Sequence, residues 1–386
     1  MSGAMLQLAG QGAQDVFLSK DPEVSFFKAV YRRHTNFAME SILQTENGNA
    51  TFGNRVAFTI SRNGDLINDM VLEVTVPAGT AAQWNTHSVG HSIIKHVTLE
   101  VGGQKIDEHS GTWLEIWSEL TTPEGKVAGF NKMVGKKSDS VFVGSVPDDA
   151  AAANAAGTKL YIPLHFFFNR NPGLALPLIA LQYHEVKVSV TFNDRPSGLL
   201  GDLQHVKLYT NYIFLDTDER RMFAQNKHTM LIQQVQDNGC ESLTTTVASS
   251  CGSNNRSRLN FNHPTSALFM VTTADNGEML DFTDGINEMV LQLNGSDRFS
   301  KRDGAYFRYV QQYHHLSRIS TKQIYMYSFA LNPTEHQPSG TLNFSRIDNA
   351  MINLTATSVG ENLHVFGMNY NVLNIQSGMA GLAFAN

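Results

Sequence analysis

The chain carries 14 histidines, the residue type best able to hold a metal or move a proton near neutral pH. Three lie close together in "HSVGHSIIKH", at His87, His91 and His96, and two more, His314 and His315, are adjacent. A metal site of the cupin kind sets two imidazoles as His-x-His, because only alternate residues of a strand share a face. No His-x-His occurs. His87, His91 and His96 do not share one face of an extended segment, so they read as surface or satisfied loop histidines. No P-loop, dinucleotide fingerprint, nucleophile elbow or zincin motif is present, and no convergent pair of acids can be located. The expectation is a protein with no catalytic, cofactor-binding or metal residues.

One compact basic cluster remains: Lys28, Arg32, Arg33 and His34. It closes an expected helix over 21–34, with Asp21 as N-cap, Pro22 at the first helical position, and Phe26, Phe27, Val30 and Tyr31 on one face. Two readings stand. The cations are a solvated helix end favoured by the dipole, or they meet acidic lipid headgroups or phosphate.

The elements that must position these residues are mostly strands. At 386 residues, 42% hydrophobic and 17% charged, the chain has material for two domains or one large one. A net charge of −6 argues against coating nucleic acid. Two cysteines, Cys240 and Cys251, are no disulfide framework and fit a reducing compartment, although they could pair across the loop between them. No apolar run is long enough to span a membrane, and the start lacks the features of a secretory signal. The five glycosylation sequons, at Asn49, Asn255, Asn294, Asn343 and Asn353, are therefore expected to stay unused by host machinery.

Turn signals punctuate the strands. Asn63-Gly64 lies between two β-rich runs within 55–76 and predicts a hairpin. Gly102-Gly103 and Asn294-Gly295 predict two more, and 185–192 alternates as a half-buried strand. Aromatic-rich helical pieces are expected at 111–120 and 304–316, and the polar run 217–225 reads as a connector. A long surface excursion is expected over about 121–160, where "PDDAAAANAAGTK" sits.

Two segments repeat. "FNRNPGLALPLIAL" (168–181) and "FALNPTEHQPSGTL" (329–342) share Phe, Asn-Pro, a second Pro and a Leu at a constant offset, placing Asn171, Pro172 and Pro177 against Asn332, Pro333 and Pro338. Likewise 97–117 resembles 289–310 as strand, turn glycine, then Gly111 or Gly304 leading into an aromatic helix. Two landmarks in order predict a tandem duplication. The strand inventory predicts an all-β chain of two tandem eight-stranded jelly-roll β-sandwiches, a double jelly roll with short loop helices. The prolines then act as elbows that end pairing and turn the chain at a sheet corner.

Long stretches are similar to the major capsid proteins of nucleocytoplasmic large DNA viruses. They are "GAQDVFLSKDPEVSFFKAVYRRHTNFAMES", "LPLIALQYHEVKVSVTF", "LNGSDRFSKRDGAYFRYVQQYHH", "IYMYSFALNPTEHQPSGTLNFSRIDNA" and "VFGMNYNVLNIQSGMAGLAFAN". The resemblance implies a structural capsid protein whose homotrimer forms a pseudo-hexagonal capsomer of an icosahedral virion, above an internal membrane. The expected organisation is an inner-face segment at 1–24, a first jelly roll at 25–215, a connector at 216–228 and a second jelly roll at 229–386. Lys28, Arg32, Arg33 and His34 would then face the membrane or minor capsid proteins. Segments 121–160 and 237–258 fit no family pattern and would be outer loops. Implied partners are the chain itself, neighbouring capsomers, minor capsid and penton proteins and inner membrane lipid, with no direct nucleic acid. Assembly would occur in the host cytoplasm. The competing readings are a jelly-roll carbohydrate-binding or cupin-type protein, and a penton-type protein, against which two sandwiches in one chain speak.

Overall fold

The computed structural model describes residues 3–8, 10–23, 26, 33–77, 88–138, 141–142, 158–195, 201–243, 254–274, 280–356 and 361–384. Contacts divide the chain into two units, Met1–Asn36 and Phe37–Asn386. The first holds two short helices, α1 (Gly3–Leu8) and α2 (Val16–Ser19). Asp15 organises the turn before α2: its carboxylate accepts from the Gly12 amide at 2.8 Å and its carbonyl from Ser19 Oγ at 2.7 Å. Of the helix expected over 21–34, none of the described residues 21–23, 26 and 33–34 is helical, and Asp21 has φ of +53°.

The second unit contains two β-sandwiches. In the first, one sheet joins β1 (Phe37–Leu43), β12 (Gln204–Leu215), β4 (Leu66–Val76), β9 (Thr158–Pro163) and β10 (Leu176–Pro177). The facing sheet runs β2 (Thr45–Asn47), β3 (Arg55–Thr59), β11 (Val186–Phe192), β5 (Ile94–Val101), β6 (Gln104–Ser110). A small ladder pairs β7 (Lys137–Ser138) with β8 (Val141–Phe142). In the second sandwich one sheet orders β13 (His228–Leu243), β23 (Glu361–Gln376) and β15 (Pro264–Ala274). It is extended by β16 (Phe282–Thr283), β20 (Ile324–Ser328), β21 (Leu342–Asn343) and β24 (Met379–Leu382). Its partner sheet holds β14 (Asn254–Arg258), β22 (Ala350–Ala356), β17 (Ile286–Leu293), β18 (Ser296–Asp297) and β19 (Arg302–Asp303). This is the expected double jelly roll.

Strand alternation builds each core. Val186, Val188, Val190 and Phe192 of β11 turn inward with Leu72, Val74, Leu160 and Leu208, while Lys187 and Thr191 lean toward solvent. Burying each such side chain contributes roughly 1.5–3 kcal/mol. Two predicted hairpins are present, β5–β6 and β17–β18. Their turns place Gly102, Gly103, Asn294 and Gly295 at positive φ, as a primed turn demands. The third is not a hairpin. β3 and β4 lie in opposite sheets, and Gly64 has no positive φ. A Cβ there would sit 2.9 Å from the Tyr212 side chain, so this glycine serves close packing and the chain crosses between sheets.

Helices α3 (Val89–Ser92), α4 (Gly111–Thr121), α5 (Glu124–Val134), α6 (Phe167–Arg170), α7 (Thr217–Gln225) and α8 (Gln311–His315) occupy the connections. A π turn over Tyr306–Val310 precedes α8. The excursion expected over 121–160 thus begins as helix α5, closed by Gly135 at φ +68°, and ends inside β9. The polar run 217–225 is helix α7, which lies between β12 and β13 with Asp216 capping it. The segment 237–258 is not all loop, since β13 runs through Leu243 with a bulge between Asp237 and Cys240, and β14 begins at Asn254. Cys251 lies outside the described residues.

Candidate assembly surfaces and the seam between sandwiches

Helix α4 is the main bridge between the sandwiches. Ser110 Oγ caps it by accepting from the Trp113 amide at 3.2 Å. Leu114 points into the core of the first sandwich. On the other side Trp113, Ile116, Trp117 and Leu120 pack on Ala267, Phe269, Val271, Met326, Phe366 and Met368 of the second. Trp113 meets Phe269 edge-on with centroids 5.4 Å apart, and Phe366 at 5.6 Å. The seam continues where Ile232, Leu373, Ile375 and Ala380 of the second sandwich join the first core. Polar bonds fix the register. The Val235 amide donates to Asp107 Oδ1 at 3.1 Å, and Gln234 Nε2 donates to the Ile106 carbonyl.

Buried charges lie along this seam. His91 Nδ1 is 2.6 Å from Glu115 Oε2, and Lys322 of the second sandwich pairs with the other carboxylate oxygen. Burial alone would raise the Glu115 carboxyl, but Lys322 and His91 together hold it well below the usual range. Arg318 reaches Glu119 at 3.6 Å and Glu124 at 3.2 Å. The Arg170 guanidinium stacks 4.0 Å from the Trp117 ring, and burial lowers its pKa to about 10. Burial, with Arg170, His91 and His109 nearby, pushes the His165 imidazole well below its usual value.

His91 is therefore a buried seam residue, not the surface or loop histidine expected, and a four-residue helix carries it. His96 lies apart on β5, partly buried, and His87 is outside the described residues. His314 and His315 end α8, where His315 Nδ1 is 2.8 Å from the Leu331 carbonyl oxygen. Among the described residues no group of three or more His, Cys, Asp or Glu could hold a metal ion.

The two proline elbows converge. Asn171 of the first, and Thr334 and His336 of the second, line one cleft of about 340 Å³ at the seam with Trp117, His165, Arg170 and Gln233. Gln233 links them, since Arg170 Nη1 lies 3.5 Å from its Oε1 and its Nε2 donates to the Glu335 carbonyl at 3.3 Å. Asn171 Oδ1 accepts from the Gly173 amide at 2.9 Å, and Ser339 Oγ closes the second elbow by accepting from the Asn332 amide at 2.9 Å. Their internal alignment differs from the one read off Asn-Pro. Leu176 and Pro177 pair with the start of β4 as Leu342 and Asn343 pair with the start of β15. In that register the exposed Pro172 corresponds to the exposed Pro338, whereas Pro177 and Pro333 are buried. Pro177 stands at the last position of an edge ladder, where no amide is required. Of the basic cluster, Arg33 and His34 are exposed, and Lys28 and Arg32 lie outside the described residues.

Comparison with known proteins joins these observations. A family model described as the major capsid protein N-terminus matches residues 25–216, and one described as the large eukaryotic DNA virus major capsid protein matches 219–381. The major capsid protein of Pyramimonas orientalis virus is 45% identical, and that of Paramecium bursaria Chlorella virus 1 is 39% identical, each match covering all of both chains. The crystal structure of PBCV-1 VP54 superimposes with a TM-score of 0.81 at 36% identity, over 94% of this chain and 100% of that one. These relatives are structural proteins of the virion capsid, not enzymes. The chain belongs to the major capsid protein family of large eukaryotic DNA viruses.

Proposed function

We propose that three copies of the chain associate into a homotrimer that acts as a pseudo-hexagonal capsomer, and that such capsomers tile an icosahedral shell over an internal membrane. The observation that carries this reading is the seam. Two similar sandwiches are locked together within one chain by α4 and its buried ion pairs, so each copy supplies two like lobes in a fixed relation. Three such copies present six lobes, the number a planar hexagonal lattice needs around each block.

In this reading residues 1–24 are the inner-face segment, 25–215 and 229–386 the two rolls, and 216–228 the connector. Lys28, Arg32, Arg33 and His34 face inward, toward membrane lipid or minor capsid proteins, which is supported by the exposure of Arg33 and His34. Neighbouring capsomers, minor capsid proteins and penton proteins complete the partner set. Assembly takes place in the host cytoplasm.

The test is the mass of the purified protein by light scattering after gel filtration, with negative-stain images of the same peak. A mass three times that of the chain with a hexagonal outline is expected. A monomer at every concentration overturns the reading.

A further inference from the structure

The duplicated landmarks correspond closely. Gly111 and Gly304 each stand where an added Cβ would collide with the carbonyl of a neighbouring strand's first residue, Ile94 O in one case and Ile286 O in the other, with His91 O of α3 also in the way of the first. With these glycines aligned, Leu114 corresponds to Phe307, and each plugs its own sandwich core. Of the α4 face that docks, Trp113 corresponds to Tyr306, which is half-buried against Phe307 in its own sandwich, and Ile116, Trp117 and Leu120 correspond to Tyr309, Val310 and Tyr313. In the first sandwich this face is buried on the second. In the second the last three are bare: Tyr309, Val310 and Tyr313 are 45%, 40% and 72% exposed.

The receiving surface has a counterpart as well. Trp113 sits on the cross-strand row Phe366–Phe269–Met326. Matching β4 to β15 from their first residues makes Tyr209–Val71–Pro163 the equivalent row, extended onto β1 by Leu43. Val71, Tyr209 and Pro163 are only partly buried, and Leu43 is exposed.

We infer that the helical segment 304–315 docks on the outer face of the β1–β12–β4–β9 sheet of a second copy, repeating between chains the contact α4 makes within one. This deepens the capsomer reading and rests on it. Composition favours the match. The face used within the chain is tryptophan and aliphatic against a wholly apolar row, as in a core. The bare one is tyrosine-rich against a mixed row, as in surfaces that must be soluble before they associate. The contact is head-to-tail, the kind that builds a ring where the repeating rotation closes.

The test uses gel filtration with light scattering across a dilution series, alongside thermal melts. Y309D/Y313D is expected to melt near wild type, since both side chains are exposed, and to need at least about tenfold more protein to trimerise. A wild-type trimer whose Y309D/Y313D variant dissociates no more readily overturns this docking face and leaves the capsomer standing. A monomeric wild type overturns both.

Discussion

Gly111 and Gly304 show how much a single absent methyl can specify. Each lets the start of a helix press against the carbonyl that ends the preceding connection. G111A and G304A are expected to cost about 1–3 kcal/mol each, because backbone cannot yield as a side-chain tip can. Denaturant titration would measure this, and a stability within error of wild type would remove the argument. Glu115 makes a second case. Its folded carboxyl titrates well below the ordinary glutamate range, so its contribution is present at and above that range and is lost as acid protonates the folded carboxyl. E115Q is expected to lower the melting temperature at pH 7 and to narrow its gap from wild type as the pH falls below about 4. The sequence marked both glycines as repeated landmarks but did not point to the ion pair: His91 and Glu115 are 24 residues apart, and Lys322 is supplied by the other sandwich. Long-range pairs leave no local pattern.

Elements were legible where their signal is local. The turns at Gly102-Gly103 and Asn294-Gly295 are dictated by left-handed backbone, which short sequence reports well. Asn63-Gly64 carried the same signal for a different reason, close packing on Tyr212, and the two causes look alike in one sequence. The elbow repeat was legible as a repeat, yet the matched Asn-Pro pairs were not the equivalent residues, because ladder register and not composition sets equivalence. Helix α4 was expected, but its role was not, since an aromatic helix in a loop does not say which sheet it covers. W117A should therefore destabilise by about 3–5 kcal/mol, losing both its apolar contacts and the Arg170 stack. If the variant melts within a degree or two of wild type, α4 is not the seam's main fastening.

On the scale of the whole molecule, the seam makes the capsid protein's stability depend on pH in a direction that can be worked out. His165 and His364 both titrate below the usual imidazole value, chiefly through burial, so each is kept neutral in the fold while the unfolded chain would take a proton near pH 6.5. The unfolded state then binds more protons as the pH drops, and stability falls from about pH 7 toward 5. The Glu115 contribution is lost only at lower pH, so the two windows separate. In H165Q the backbone carbonyl that accepts from Arg170 Nε at 2.7 Å is retained, and the titrating ring is lost. A melting temperature measured from pH 7 to 5 is expected to fall less steeply than in wild type, but not to become flat, because His364 remains. An unchanged slope would mean that His165 takes up its proton in the folded chain as readily as in the unfolded one. The seam would then hold the two sandwiches together without sensing acid.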